Sequence, residues 1–348
     1  MKKGPGVDPF VHLREMLEEG KEMASQQHKQ SNMAVEIPKV SFSSGAVAMP
    51  VVGMGTASYP PVPYETLRSA MLHAIQVGYR HFDTASLYSS ERPLGQIIQE
   101  ALRLGLIKSR DELFITSKLW CTDNHGEAVL AALTKSLILK PGSNRYPFEK
   151  EDLAPMDYKS TWAAMEECQA LGLTKAIGVS NFSSAKLANL LSVAKIPPAV
   201  NQDGTGERYE LLTVVEMHPV WQQRKLKELC KANGIHLVAY SPLGSKGTPW
   251  GSNQVMDCPV LKEIAEATGK TVAQVALRWI YEQGASMVVK SFDNERMVEN
   301  LQIFDWALTE NDAHMIDLIP QKRGLPGDNF LSPGGPFKSL DELWDGEL

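Results

Sequence analysis

No apolar run in this chain approaches the roughly 18–20 residues that a membrane-spanning helix needs. Positive charge is also scarce. Lys and Arg total 35 against 41 Asp and Glu, a formal net charge of -6, and no basic stripe or block of like charges is present. A nucleic-acid partner would require such a stripe, so neither nucleic acid nor membrane is an expected partner. Cysteine is limited to Cys121, Cys168, Cys230 and Cys258, with no CxxC pair and no cluster with histidine. That fits the reduced thiols of a cytoplasmic protein better than a disulfide framework or a zinc site, and no metal is expected. The N-terminus carries two early lysines without an apolar segment behind them, so it is not a secretory signal.

At 348 residues and 43% hydrophobic, the chain can bury a large core, and single α/β barrels reach this length. Residues 1–34 read as a disordered extension, in which "VHLREMLEEGKEM" could form a short amphipathic helix and "ASQQHKQSN" resembles linker. A single monomeric domain is expected over 35–348.

From Val51 onward the hydrophobic period alternates between strand and helix. "PVVGMGTA" reads as a strand, and "YETLRSAMLHAIQVG" places Leu67, Ala70, Met71, Ala74 and Ile75 on one helical face with Gly78 as its stop. "YRHFDTA", "DELFITSKLW", "KAIGVSNF", "PPAVNQ", "IHLVAYSPLG" and "ASMVVKS" read as further strands, separated by helical stretches. Such alternation predicts a parallel sheet covered by helices. Seven strands emerge, and one place in the alternation is out of step: the helical "GEAVLAALTKSL" runs into "LILKPG" and a proline-rich loop, where a strand is due. A strand there would complete eight, so the expected fold is α/β, a (β/α)8 TIM barrel that lacks one strand.

In such barrels the chemistry sits where strands end. Asp83 ends "RHFD", with Tyr88 close behind in "TASLY"; Lys118 ends "FITSK"; Ser180 and Asn181 end "AIGVSN". Gln202 ends "AVNQ", Tyr240 and Ser241 end "LVAYS", and Lys290 and Ser291 end "MVVKS". Any one of these could be a helix cap or an inert surface charge. Nearly every strand, however, offers one at the same end. An Asp, a Lys and a Tyr converging on one site have a chemical use. A phenol is a poor acid near neutrality, with an ordinary pKa of about 10. A neighbouring ammonium would lower that value, and a carboxylate would keep the ammonium charged and oriented. Such a tyrosine could protonate a carbonyl oxygen as hydride arrives at carbon, which calls for a nicotinamide cofactor. "GMGTAS" lacks the third glycine and the following acidic residue of a Rossmann fingerprint. Lys290, Ser291 and Arg296 in "KSFDNERMVEN" gather donors at a helix start, which suits a ribose phosphate and hence NADPH. A solvated helix start explains those three residues equally well.

"GYRHFDTASLYSSERPLG", "TSKLW", "AIGVSNF", "AYSPLG" and "KSFDNERMVEN" together resemble the aldo-keto reductase family, in order, from about Val35 to the C-terminus. "MPVVGMGTAS", "ELFITSKLWCTDNH" and "GPFKSLDELWDGE" resemble its plant branch of deoxymugineic acid synthase-like, chalcone reductase-like and codeinone reductase-like enzymes. The resemblance implies NADPH-dependent reduction of an aldehyde or ketone, in specialised or metal-chelator metabolism, with Tyr88 as general acid tuned by Lys118 and Asp83. It implies that Ser180, Asn181 and Gln202 hold the nicotinamide carboxamide, that Tyr240 stacks on its ring, and that Gly55, Thr56 and Asp83 lie beside it. Ser241, Leu243, Lys290, Ser291, Arg296, Glu299 and Asn300 would hold the pyrophosphate and adenosine end. Trp120 and the tail after about Pro320 would shape the pocket for a small-molecule carbonyl substrate.

Two departures from the family pattern stand out. Members carry a fourth strand of the type "YLDLYLIHWP", whose histidine is a further catalytic residue; here "LTKSLI" leads to "LKPG", and strand and histidine are both missing. Where relatives read "NQVEMHP", this chain reads "NQDGTGERYELLTVVEMHP", an insertion over Asp203–Val214 directly after Gln202. Both look like splice or gene-model differences. They raise a rival reading, an NADPH-binding pseudoenzyme or inactive isoform.

Overall fold

The computed structural model describes residues 35–41, 48–119, 123, 126–138, 157–196, 211–246 and 251–347. The expected N-terminal extension, Trp120, Gln202 and the "LKPG" turn lie outside them. A short antiparallel hairpin of β1 (Lys39–Ser41) and β2 (Ala48–Pro50) comes first. β3 (Val52–Gly55) then leads into α1 (Tyr64–Val77). The buried face of α1 is Leu67, Ala70, Met71, Ala74 and Ile75, the positions the helical period selects. Gly78 ends it at φ +117°, a conformation open to glycine.

β4 (His81–Asp83), α2 (Glu91–Arg103), β5 (Phe114–Thr116) and α3 (Gly126–Ile138) continue the alternation. The next described element is a helix, α4 (Tyr158–Ala170), which packs on α3. β6 (Ile177–Ser180), α5 (Ser184–Val193), β7 (Leu211–Glu216), α6 (Arg224–Ala232) and β8 (His236–Tyr240) follow. α7 (Pro259–Thr268) and α8 (Val272–Glu282) precede β9 (Ser286–Val289) and the short α9 (Asn294–Glu299). α10 (Glu310–Asp317) and α11 (Leu340–Trp344) lie in the C-terminal part.

Seven strands form one parallel sheet in the order β5-β4-β3-β9-β8-β7-β6. This is the cyclic succession of a (β/α)8 barrel, opened at one place: β5 and β6 are the two ends of the sheet, and among the described residues no strand joins them. Side chains alternate as a barrel requires. Met54, Phe82, Val215, Ala239 and Met287 belong to the large core shared with the helices. Val214, Val238 and Val288 face the interior, where Met49 of the hairpin joins them.

The strand expected at "PPAVNQ" lies outside the described residues. The place between β6 and β8 is taken by Leu211–Glu216, with Ser180 opposite Val214 and Glu216 opposite Tyr240. The last residues of the presumed insertion are therefore barrel strand.

Candidate active site

The C-terminal ends of β4 and β5 bring three expected residues together. Asp83 closes β4 and is buried, 5% exposed. Lys118, just beyond β5, places Nζ 2.6 Å from each Asp83 carboxylate oxygen and 3.1 Å from the Thr84 carbonyl oxygen. Tyr88 ends a 3-10 turn, Ser86–Tyr88, and its ring centre lies 5.0 Å from Lys118 Nζ. Burial alone would lower the lysine, but the Asp83 carboxylate, with Tyr88 beside it, holds the ammonium above its ordinary value. The tyrosine corrects expectation. Burial pushes the Tyr88 phenol above its ordinary value, and the pull of the Lys118 ammonium in the other direction does not offset it.

Hydroxyl groups brace this corner. Thr56 Oγ1 donates to the Asp83 carbonyl oxygen at 2.9 Å, and Ser90 Oγ lies 2.7 Å from the hydroxyls of both Thr56 and Thr84. Sequence reading missed Thr84 and Ser90; their signal was hydroxyl residues just beyond two neighbouring strand ends, Thr56 after β3 and Thr84 and Ser90 after β4. "GMG" proves to be packing. A Cβ at Gly53 would meet His81 Nδ1 at 2.6 Å, because the imidazole fills the barrel interior against that backbone. Gly55 has no such constraint, its nearest neighbour being Lys290 Cβ at 3.6 Å.

On the far side, Ser180 ends β6, and Asn181 follows in the left-handed conformation at φ +62°. Asn181 Oδ1 accepts from the Tyr240 hydroxyl at 2.7 Å, which ties the ends of β6 and β8 together. Ser241 is also left-handed, at φ +49°, and takes a hydrogen bond from the Ser245 hydroxyl. Leu243 packs at the edge of the core. Beyond β9, Lys290 stands 5.4 Å from the Phe292 ring, Ser291 Oγ accepts from the Asp293 amide at 3.1 Å, and Asp293 caps α9 at Arg296 N. Lys290 and Arg296 are exposed, and neither has a carboxylate within ion-pair distance among the described residues. Glu299 and Asn300 are already engaged: the Glu299 carboxylate accepts from Thr271 Oγ1 at 2.6 Å, and Asn300 is buried beside the Tyr79 hydroxyl.

Three groups, His81, the half-buried His236 and Glu216, lay outside the expectation. His81 and His236 line the interior, bonded at Nε2 to Thr116 Oγ1 (3.0 Å) and Ser286 Oγ (2.8 Å). Burial lowers them to about 3 and about 4 respectively. Glu216, at the end of β7, is 2% exposed. Reading β7 at 211–216 would have flagged it by the same strand-end logic that found Asp83.

The model of the aldo/keto reductase family matches residues 51–320. A 7-acetyl-epi-neemfruitin B aldo-keto reductase from Melia azedarach is 55% identical over 90% of this chain and 99% of its own length. NADPH-dependent codeinone reductase 1-4 from Papaver somniferum is 54% identical over 89% of this chain and 98% of its own. Deoxymugineic acid synthase 1-D from Triticum aestivum is 52% identical over 87% and 98%. Among solved structures, a Bombyx mori aldo-keto reductase in complex with NADP superposes with a TM-score of 0.70 at 30% identity, covering 84% of this chain and 95% of that one. With the family's span and whole-length relatives of this similarity in hand, the chain belongs to the aldo/keto reductase family.

Proposed function

We propose that this chain reduces a small-molecule aldehyde or ketone to an alcohol with NADPH, Tyr88 donating the proton to the carbonyl oxygen. One observation carries the reading: Tyr88, Lys118 and Asp83 cluster at the strand end that also presents Ser180, Asn181, Tyr240 and Lys290. The exposed Lys290 and Arg296, with no carboxylate partner among the described residues, fit the phosphates of NADPH. Asn181 and Ser180 offer donors and acceptors for a carboxamide, and Tyr240, held through its hydroxyl, offers a ring face. NADPH supplies hydride when bound. The protein's part is to hold the substrate oxygen at Tyr88 and to keep that phenol protonated. A phenol raised by burial stays protonated at neutral pH, as a proton donor must. Lys118, anchored by Asp83, stabilises the phenolate left behind.

The same reading takes 35–348 as a single monomeric barrel domain. The buried free thiols of Cys168, Cys230 and Cys258 suit a cytoplasmic setting. No helix among the described residues is long and apolar enough to cross a membrane. A second reading, a chain that binds NADPH but turns over little, is favoured by the lack, among the described residues, of a strand between β5 and β6. Measuring NADPH affinity by fluorescence, separately from aldehyde-dependent NADPH oxidation, decides between them. Binding with turnover supports the reductase, binding without turnover supports the second reading, and absence of both rejects the two together.

A further inference from the structure

Glu216 is a buried carboxylate outside the Asp83–Lys118–Tyr88 cluster, and each of its oxygens has a partner in the C-terminal tail. Its Oε1 accepts from the Gly324 amide at 2.9 Å and its Oε2 from the Leu325 amide at 3.0 Å. His218 Nε2 stands 3.1 Å from Oε1. Consecutive main-chain donors on the two oxygens of one carboxylate make a charge-assisted clip, stronger than neutral hydrogen bonds. The tail's sequence is matched to it. A Cβ at position 324 would overlap Glu216 Oε1 and stand 3.0 Å from Gln254 Nε2, so glycine lets the tail backbone approach this closely. Next to the clip, the Arg323 guanidinium is stacked between Trp221 (4.6 Å) and Trp344 (3.7 Å). Trp344 in turn donates to the Pro326 carbonyl oxygen at 2.6 Å.

Glu216 lies directly opposite Tyr240 in the β7–β8 register, on the interior face of the sheet. The clip therefore ties the tail to the strand end that carries the proposed nicotinamide platform. We propose that Glu216 is a positioning residue: its carboxylate holds Gly324 and Leu325 over the barrel mouth and so sets the tail side of the substrate pocket. The claim on the pocket rests on the carbonyl-reductase reading; the clip does not.

The test uses the full chain and three variants, Glu216→Gln, Gly324→Ala and the double. Glutamine keeps the shape but turns a donor toward a donor; the alanine methyl displaces the tail from the other side. Trypsin cleavage after Lys322 and Arg323, followed by mass spectrometry, should accelerate roughly tenfold in each single variant, the scale of losing a hydrogen bond to a charged acceptor. The double variant should add little, because one contact is removed twice. NADPH affinity should stay within about twofold, and the carbonyl KM should rise about tenfold with kcat nearly constant, a split that general destabilisation would not produce. Cleavage at the wild-type rate, multiplying effects in the double variant, or equal acceleration across the whole chain would overturn the proposal. Should the parent chain oxidise no NADPH with any aldehyde, the reductase reading falls while the cleavage pattern still decides the clip.

Discussion

Lys118 Nζ sits 2.6 Å from both carboxylate oxygens of Asp83, a two-pronged ion pair taken largely out of water. Breaking a buried pair by removing one partner leaves an uncompensated charge and costs about 3–5 kcal/mol. The pair is thus a fixed point, and Tyr88 is positioned relative to it. In the proposed reaction the ammonium would therefore be in place before any proton moves.

Replacing Tyr88 with Phe should reduce carbonyl reduction by about 10²–10⁴-fold, the usual worth of general acid catalysis, with NADPH affinity nearly unchanged. Steady-state NADPH oxidation and fluorescence titration of the same preparations check both halves. Retention of most of the parent's turnover would sink the assignment.

The direction of the Tyr88 shift is separately measurable. Burial disfavours the phenolate, so Tyr88 in the cofactor-free protein should ionise above the ordinary tyrosine value of about 10. Ultraviolet difference spectra of wild type against Tyr88→Phe isolate its titration. Lys118→Met removes the one cation beside the ring among the described residues and should move it higher still. A Tyr88 that titrates at or below the ordinary value refutes the shift.

The interior histidines predict acid sensitivity. Folded His81 and His236 bind protons only near pH 3 and 4, whereas unfolded histidine binds them near 6.5. Between those limits the unfolded state holds more protons, so stability falls as pH drops, by roughly 1.4 kcal/mol per unit for each histidine. His236→Gln should flatten the slope of urea midpoint against pH between about 4.5 and 6.5. An unchanged slope would show that the group does not stay neutral in the fold.

What could be read from the sequence and what could not divide along physical lines. The α1 face and the Asp83–Lys118–Tyr88 cluster follow from local period and strand-end position, both carried by neighbouring residues. α7 was overlooked although Pro259 at its start and Gly269 at φ +65° after its end are ordinary helix punctuation. β7 at Leu211–Glu216 is not legible locally, because what makes that run a strand is its pairing with the distant β6 and β8. The direction of the Tyr88 shift depends on how much water the fold excludes, and no spacing of residues encodes that.

Cofactor preference should depend on Arg296. It is exposed with no carboxylate partner among the described residues, and only NADPH carries the additional ribose phosphate. Arg296→Ala should weaken NADPH binding by roughly tenfold, the worth of one charged hydrogen bond, and leave NADH nearly unaffected. Fluorescence quenching with both cofactors reads the difference. Equal losses would place the arginine away from the phosphate.

Among the described residues no strand stands between β5 and β6, and this sets the last expectation. Edge strands carry unpaired amides and carbonyls, and a closed barrel has none. Inserting a strand of the type "YLDLYLIHWP", with its flanking turns, between Ile138 and Leu139 should pair both edges and add side chains to an interior now lined by Phe114 and the valines of β7, β8 and β9. Filling such a gap recovers transfer and cavity energy together, commonly a few kcal/mol. Thermal unfolding should therefore shift upward by several degrees. The restored histidine should raise turnover without altering NADPH affinity much, because Ser180, Asn181, Tyr240 and Lys290 stand on other strands or just beyond them. The two chains are compared side by side in melting and in NADPH oxidation. If the present chain already melts as high and turns over as fast, then β5 and β6 have no need of a strand between them, and the gap is a tolerated feature of this barrel.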